Sequence, residues 1–318
     1  MLGNQERIKD LADRCRELSA DCDDLSQGVF HDTNYLLFPT ARLIVGQLKA
    51  DIGKNRERKS LGIDPGFSFL QKSIRALIPS HLWVVGGYTS HGKTALAVEL
   101  IRRITKTSPE SNVVVFSLEM SAASYILRLA SNITRIPSLS ILHGDHIDSV
   151  QQRIEDALEQ ISKIHVIIYD DLYEFQKISQ QAQDIKNTIG VDVLFIDYIQ
   201  NMAGQGGIYE RMSTLAPQLQ ALAKELDCTI VALSQVSNEA INEDLKSINY
   251  KGAGEIAAAC DLGLWLEKDR KDDTILRVAI RKNRHGPLGK AILRFKDNFT
   301  WLQEENENTR GPIWIEDG

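Results

Sequence analysis

Residues 87–94 read Gly87-Tyr88-Thr89-Ser90-His91-Gly92-Lys93-Thr94, a fit to the pattern GxxxxGK[ST]. The apolar run Leu82 to Val85 before them predicts a strand, and the spacing from Lys93 to Ile104 predicts a helix. A glycine-bearing loop between the two turns successive backbone N–H groups inward at a helix N-terminus, where the partial positive charge suits phosphate. Lys93 is then expected to reach the β- and γ-phosphates of a nucleotide, and Thr94 to offer its hydroxyl to Mg²⁺. ATP with Mg²⁺ is the expected ligand. Among the four variable positions His91 reads as loop filler.

Three further polar residues each follow an apolar run. Glu119 comes after "NVVVFSL", Asp197 after "DVLFI" and Gln235 after "CTIVALS". In open α/β sheets ligands bind beyond the carboxyl ends of the strands, which is where these side chains should fall. Asp197 suits a water bound to Mg²⁺, Glu119 a base that orients and deprotonates an attacking water, and Gln235 an amide that senses the γ-phosphate. A separate cationic group, Arg281, Lys282 and Arg284, precedes a Gly-Pro turn in "RKNRHGP". It predicts a rigid hairpin tip on which Lys282 and Arg284, two residues apart, share a face.

The elements that must hold these residues are legible as a pattern. Short β-branched runs (Leu82 to Val85, Asn112 to Phe116, His165 to Tyr169, Val193 to Ile196, Thr229 to Leu233) alternate with helical stretches, as in a parallel sheet covered on both faces. "LGLWLEK", "TILRVAIRKN" and "GKAILRF" follow without intervening helices, so the sheet should finish in antiparallel strands. Ahead of this core, Ile8, Leu11, Ala12, Cys15, Leu18, Cys22 and Leu25 have the spacing of one helix face. A second helix is expected from Pro39, before the charged run Lys54 to Lys59, which reads as a solvated linker.

Composition sets outer limits. The 318 residues suit one large α/β domain with a small appendage, and 43% hydrophobic with 25% charged residues reads as globular. No apolar stretch approaches a membrane span and the first residues are charged, so no membrane partner and a cytoplasmic location are expected. Four cysteines (Cys15, Cys22, Cys228, Cys260) lack CxxC spacing and are expected to be reduced thiols. A net charge of −6 argues against a surface that binds nucleic acid everywhere, though not against a basic lining in one channel.

A glutamate on the strand after the helix that follows the phosphate loop, then an aspartate ending a later strand, then a strand ending in glutamine, is the order of RecA-like ATPases. Within them "FSLEMS", "LFIDYIQNM", "LQALAKELDCTIVALSQVSNEA", "ACDLGLWLEKD" and "IRKNRHGPLGKAILRF" resemble the successive motifs of the C-terminal ATPase domain of DnaB-type replicative helicases, over about Leu61 to Gln303. The resemblance implies a RecA-like P-loop core at 61–304, after a helical N-terminal segment and linker helix at 1–60 and before a tail at 305–318. It further implies an ATP-driven motor on single-stranded DNA, built as a homo-oligomeric ring that usually has six subunits, with a loader or primase as a further partner and a bacterial, phage or plasmid setting. Lys282 and Arg284 match the pair that neutralises the γ-phosphate held by a neighbouring subunit.

Two loops of such rings face the central channel, here approximately Ala203 to Arg211 and Glu239 to Glu255. The candidates for DNA contact are Arg211, Lys246, Tyr250, Lys251, Gly252 and Gly254: cations for phosphate, backbone N–H groups in "KGAG", and a tyrosine for stacking. The second loop also carries four acids, and the roughly sixty residues ahead of the core are expected to hold helices only, in place of the globular N-terminal domain of the full helicases. A RecA-like ATPase serving as a recombination mediator or an assembly switch, without unwinding, is therefore the alternative reading.

Overall fold

The computed structural model describes Val45 and residues 62–144, 147–204, 207–235, 259–297 and 299–305. The chain divides into two units, Met1–Lys59 and Ser60–Gly318. The expected N-terminal helices, with Cys15 and Cys22, lie outside the described residues, as do the 239–255 loop and the tail beyond Glu305. In the second unit the elements run α1 (Ser68–Ile74), β1 (Leu82–Gly87), α2 (Lys93–Thr107), β2 (Val113–Ser117), α3 (Ala122–Thr134), α4 (Ser138–His143), α5 (Ile147–Ser162) and β3 (Val166–Tyr169). They continue with α6 (Phe175–Thr188), β4 (Val193–Asp197), a 3₁₀ turn (Ile199–Asn201), α7 (Ile208–Glu225), β5 (Thr229–Gln235), β6 (Leu262–Lys268), β7 (Ile275–Asn283), β8 (Gly289–Lys296) and β9 (Trp301–Glu304).

The nine strands among the described residues join one sheet in the order β3-β2-β4-β5-β1-β6-β7-β8-β9. From β3 to β6 the pairing is parallel, and from β6 to β9 antiparallel. The run "LGLWLEK" is therefore not wholly in the antiparallel part: it pairs parallel with β1 on one side and antiparallel with β7 on the other. β9 extends the sheet by a strand that short polar-flanked "TWLQE" did not signal.

Alternation along each strand sorts side chains into two cores. Trp83, Val85, Val113, Val115, Val193, Phe195, Val231 and Leu233 face one side, where Leu96, Leu100 and Ile104 of α2 and Tyr125 and Leu129 of α3 cover them. Leu82, Val84, Val114, Phe116, Leu194, Ile196, Ile230 and Ala232 face the other, under Ile178 and Ala182 of α6 and Leu215, Leu219 and Leu222 of α7. Covered on both faces, β1, β2 and β4 are buried at every residue, which is why they read as unbroken apolar runs.

A charged network inside α2 adds to this packing. Glu99, fully buried, receives Arg102 and Arg103 at 2.6 Å each and the Asn132 side-chain amide at 2.9 Å. Arg103 also lies over the Phe67 ring, 4.0 Å from its centroid, and donates to the Gly66 carbonyl, so the segment before α1 is fixed to α2. Removing one partner of such a buried charge costs roughly 3–5 kcal/mol. Cys228 and Cys260 are buried, neither forms a disulfide, and burial pushes their thiols up to about 12 and about 11. Among the described residues no helix is long and apolar enough to cross a membrane.

Candidate active site

The loop 87–94 sits at the carboxyl end of β1, between two parallel neighbours. Gly92 takes φ 81°, a left-handed conformation that favours glycine, and a Cβ there would lie 2.9 Å from the Phe295 ring. α2 begins at the next residue, which puts Lys93 and Thr94 in its first turn. The Lys93 ammonium, 8% exposed, donates to the carbonyls of Gly87 at 3.0 Å and Tyr88 at 2.9 Å. Burial lowers its pKa, and Asp197 and Glu119, in that order, pull it back up.

His91 is more than filler. Its Nδ1 accepts the backbone N–H of Lys268 at 3.2 Å, and its ring meets Tyr88 edge-on at 5.2 Å, while Tyr88 meets Trp265 of β6 at 5.4 Å. The loop is thereby fastened to β6 from the side away from β5. Burial lowers the His91 pKa, so the ring is suited to accept that bond as a neutral imidazole.

β5 lies between β1 and β4, so the three polar strand ends stand in a row. Gly87 is in register with Gln235, and Ser117 with Asp197. Asp197 is 1% exposed and neither carboxylate oxygen has a hydrogen-bond partner. Burial raises its pKa to about 6; the Thr94 hydroxyl, near but outside hydrogen-bonding geometry, pulls it down, and Glu119 pushes it up. The Asp197–Tyr198 peptide bond is cis.

Glu119 is exposed, one residue past Leu118, whose N–H donates to the Asp197 carbonyl at 2.6 Å. Its loop is held on three more sides: the Asn201 amide donates to the Leu118 carbonyl at 3.0 Å, the Ser117 hydroxyl to the Met120 carbonyl at 2.6 Å, and the Ala122 N–H to Asp170 at 2.7 Å. The Gln235 amide donates to the Thr89 hydroxyl at 2.6 Å. Gln200, which sequence reasoning passed over, fixes Gln235 from behind: it accepts from the Gln235 N–H at 2.9 Å and donates to the Gln235 carbonyl at 3.0 Å and to Ser234 Oγ at 2.8 Å. Its position in "IDYIQN" is the signal that was there to use.

This donor set fits a magnesium nucleotide. A buried carboxylate with two unmatched oxygens beside a threonine hydroxyl asks for a cation, and Mg²⁺ takes one or two carboxylates with phosphate and water rather than an all-protein cage. No cluster of three or more His, Cys, Asp or Glu that could hold a metal is found among the described residues.

Lys282 and Arg284 lie elsewhere. β7 runs antiparallel to β6 and ends beside the start of β6, with Lys282 opposite Gly263. Arg284 follows the strand and its Nη1 pairs with Asp261 at 2.9 Å, while Asp261 Oδ2 accepts the Leu82 N–H at 2.9 Å. That is the amino end of β1. From Leu82 to Gly87 the strand rises roughly 17 Å, so the tip and the phosphate loop of one chain stand at opposite ends of the sheet. Asn283, a residue not singled out from sequence, pins the tip by donating to Ser73 O at 3.1 Å and Pro287 O at 2.9 Å.

Of the residues considered for DNA, only Arg211 is among the described ones. α7 begins at Ile208, so Arg211 belongs to its first turn rather than to the loop, and its Nη1 donates to the Met202 carbonyl at 2.9 Å. Lys246, Tyr250, Lys251, Gly252 and Gly254 lie outside the described residues.

The parallel sheet, the strand inserted between β1 and β4, and the loop at the start of α2 define a P-loop NTPase of the RecA-like class. A family model described as the DnaB-like helicase C terminal domain matches residues 62–304, and the chain belongs to that family. It is 28% identical over 275 residues to the replicative DNA helicase DnaB of Haemophilus influenzae, covering 79% of this chain and 58% of that protein. It is 27% identical over 300 residues to a probable plasmid replicative DNA helicase of Chlamydia muridarum, covering 91% of this chain and 65% of that one. The chain thus spans about half the length of the curated relatives it matches. Among solved structures, an ATPase domain superposes with TM-score 0.73 at 22% identity, covering 82% of this chain and 99% of that one. A DnaB-like replicative helicase, solved in a study of its interactions with primase, superposes with TM-score 0.71 at 19% identity, covering 94% and 76%.

Proposed function

We propose that this chain is the motor of a DnaB-type replicative helicase, hydrolysing ATP at the boundaries between identical subunits to move on single-stranded DNA and separate the duplex. The observation that carries the reading is the separation along β1: the phosphate loop stands at one end and the Arg284 tip at the other. An arginine so placed is out of reach of its own nucleotide but suited to a neighbour's. Contacts that join one end of a subunit to the opposite end of the next are heterologous, and such contacts form a ring when the rotation between subunits closes.

In this reading the loop N–H groups and Lys93 bind the phosphates, and Thr94 with Asp197 holds Mg²⁺, the aspartate through water. An ion held there would supply positive charge against the phosphate groups. Glu119 orients the attacking water and takes its proton, Gln235 exchanges Thr89 for the γ-phosphate, and Lys282 and Arg284 complete the charge from the next subunit. We assign residues 61–304 to the motor, with DNA held by the 203–211 and 239–255 loops. A linker helix within 1–60 docks on a neighbour, and a loader or primase is a further partner. We assign its work to the bacterial cytoplasm, for a host, phage or plasmid; the bacterial and plasmid relatives support that setting.

Strand displacement on forked substrates with 5′ or 3′ tails, in ATP and Mg²⁺, tests the reading. ATP-dependent displacement supports it. Hydrolysis stimulated by single-stranded DNA without displacement would instead favour the mediator or switch, and no hydrolysis with or without DNA would remove both.

A further inference from the structure

We infer that Asp261 is a positioning residue for the Arg284 guanidinium; the inference rests on the reading of Arg284 as the group presented to a neighbour's phosphate. Asp261 stands immediately before β6, its side chain 6% exposed. Three backbone bonds fix it: its N–H donates to Leu82 O at 2.8 Å, its carbonyl accepts the Arg284 N–H at 2.9 Å, and Oδ2 accepts the Leu82 N–H at 2.9 Å. One oxygen remains, Oδ1, and it is the one that holds Arg284 Nη1 at 2.9 Å.

A carboxylate tied to β1 in this way has no freedom to follow a mobile side chain, so the guanidinium must come to it. Arginine carries five N–H donors in a rigid planar fork, and the pair engages one nitrogen while 43% of the Arg284 side chain stays exposed. The fork can therefore be held at one corner and still meet an anion. A half-exposed ion pair adds little to stability, so what Asp261 supplies is orientation. The neighbouring rings agree with a built tip: His81 and His285 stack with centroids 4.9 Å apart and an interplanar angle of 18°. Burial lowers the His81 pKa, Asp261 opposes that, and His285 and Arg284 add to the lowering.

Asp261→Asn keeps an oxygen for the Leu82 N–H and removes the charge that holds Arg284. DNA-stimulated ATPase measured on the full chain should show kcat lowered roughly 10–100-fold, the scale of a misplacement near 1 Å, with KM for ATP and the melting temperature unchanged. In an Arg284→Ala background the same change should cost nothing more. Wild-type kcat in Asp261→Asn beside an inactive Arg284→Ala would overturn the inference and leave the finger reading standing, as would losses that multiply in the double variant. Wild-type kcat in Arg284→Ala would remove the finger reading and this inference with it. If Asp261→Asn does not fold, Asp261→Glu, which keeps the charge and moves it outward by one methylene, reads the same displacement: lowered kcat at constant KM supports positioning, and unchanged kcat overturns it.

Discussion

The Gln235 amide donates to the Thr89 hydroxyl at 2.6 Å, joining the last residue of β5 to the phosphate loop that follows β1. Both backbone groups of Gln235 are meanwhile occupied by the Gln200 side chain. The backbone is held while the amide tip rests on an exposed hydroxyl, a bond that costs little to exchange for a phosphate oxygen. Gln235→Ala is expected to keep ATP affinity within a few-fold and to lose most of the stimulation of hydrolysis by single-stranded DNA. Fluorescent-nucleotide binding together with ATPase assays, with and without DNA, checks this; full stimulation in the variant would end the sensing role.

The phosphate site separates binding from chemistry. Lys93→Ala removes the cation nearest the transferring group and should abolish turnover. Glu119→Gln should bind nucleotide as wild type yet stall, because an amide cannot take the proton from water. Hydrolysis by Glu119→Gln at near wild-type rate would show that another group does that work.

Asp197 makes stability depend on pH. Burial raises its folded pKa to about 6, above the ordinary 3.8, so the folded protein binds this proton more tightly than the unfolded chain does. The carboxylate therefore destabilises the nucleotide-free fold fully above about pH 6 and ceases to below about pH 4. By one pKa unit per 1.36 kcal/mol the cost is about 2–3 kcal/mol. Denaturant melts without nucleotide should find Asp197→Asn more stable than wild type by about that amount at pH 8, with the gap narrowing below about pH 6 and closing below about pH 4. Equal stability at pH 8 would mean the carboxylate is better solvated than its burial implies.

Much of this was visible in the one-dimensional pattern, for a physical reason. Strands buried on both faces leave unbroken apolar runs, so β1, β2, β4 and β5 and the polar residues that end them could be read directly. The phosphate loop announces itself because glycine, lysine and threonine are each required within eight residues. What stayed hidden depends on partners distant in sequence. Nothing local in "ACDLG" says that Asp261 meets both Leu82 and Arg284, and nothing in "SHGKT" says that His91 holds β6. Gln200 carries no local sign of its partners, Ser234 and Gln235, which come 34 and 35 residues later. The lack of a helix before β6 points to a hairpin strand, yet β6 pairs parallel with β1, a neighbour far away in sequence.

Lys251 tests the channel reading. If "KGAG" grips the DNA backbone, Lys251→Ala should weaken single-stranded DNA binding and flatten the dependence of log K on log salt by about one unit or less, the loss of one phosphate contact. Titrations across a salt series read both quantities. Unchanged affinity and slope would place DNA contact on other residues and strengthen the switch reading.

The shared site carries the sharpest expectation, because two inactive proteins should restore one another. Arg284→Ala leaves Lys93 and Thr94 in place, so it should bind ATP normally while kcat falls by roughly 10³–10⁵, the usual value of an arginine given across a boundary. Lys93→Ala has the opposite defect: an intact tip and an empty grip on the phosphates. In mixed assemblies some boundaries pair the intact loop of an Arg284→Ala subunit with the intact tip of a Lys93→Ala subunit, and at those boundaries hydrolysis should return. Subunit exchange, shown independently by energy transfer between labelled proteins, is the condition for the test. A ring that must fire in sequence will recover less than the count of repaired boundaries. With exchange demonstrated and DNA present, no recovery at all would confine each active site to one chain, and the opposite placement of Arg284 and Gly87 along β1 would then need a different explanation.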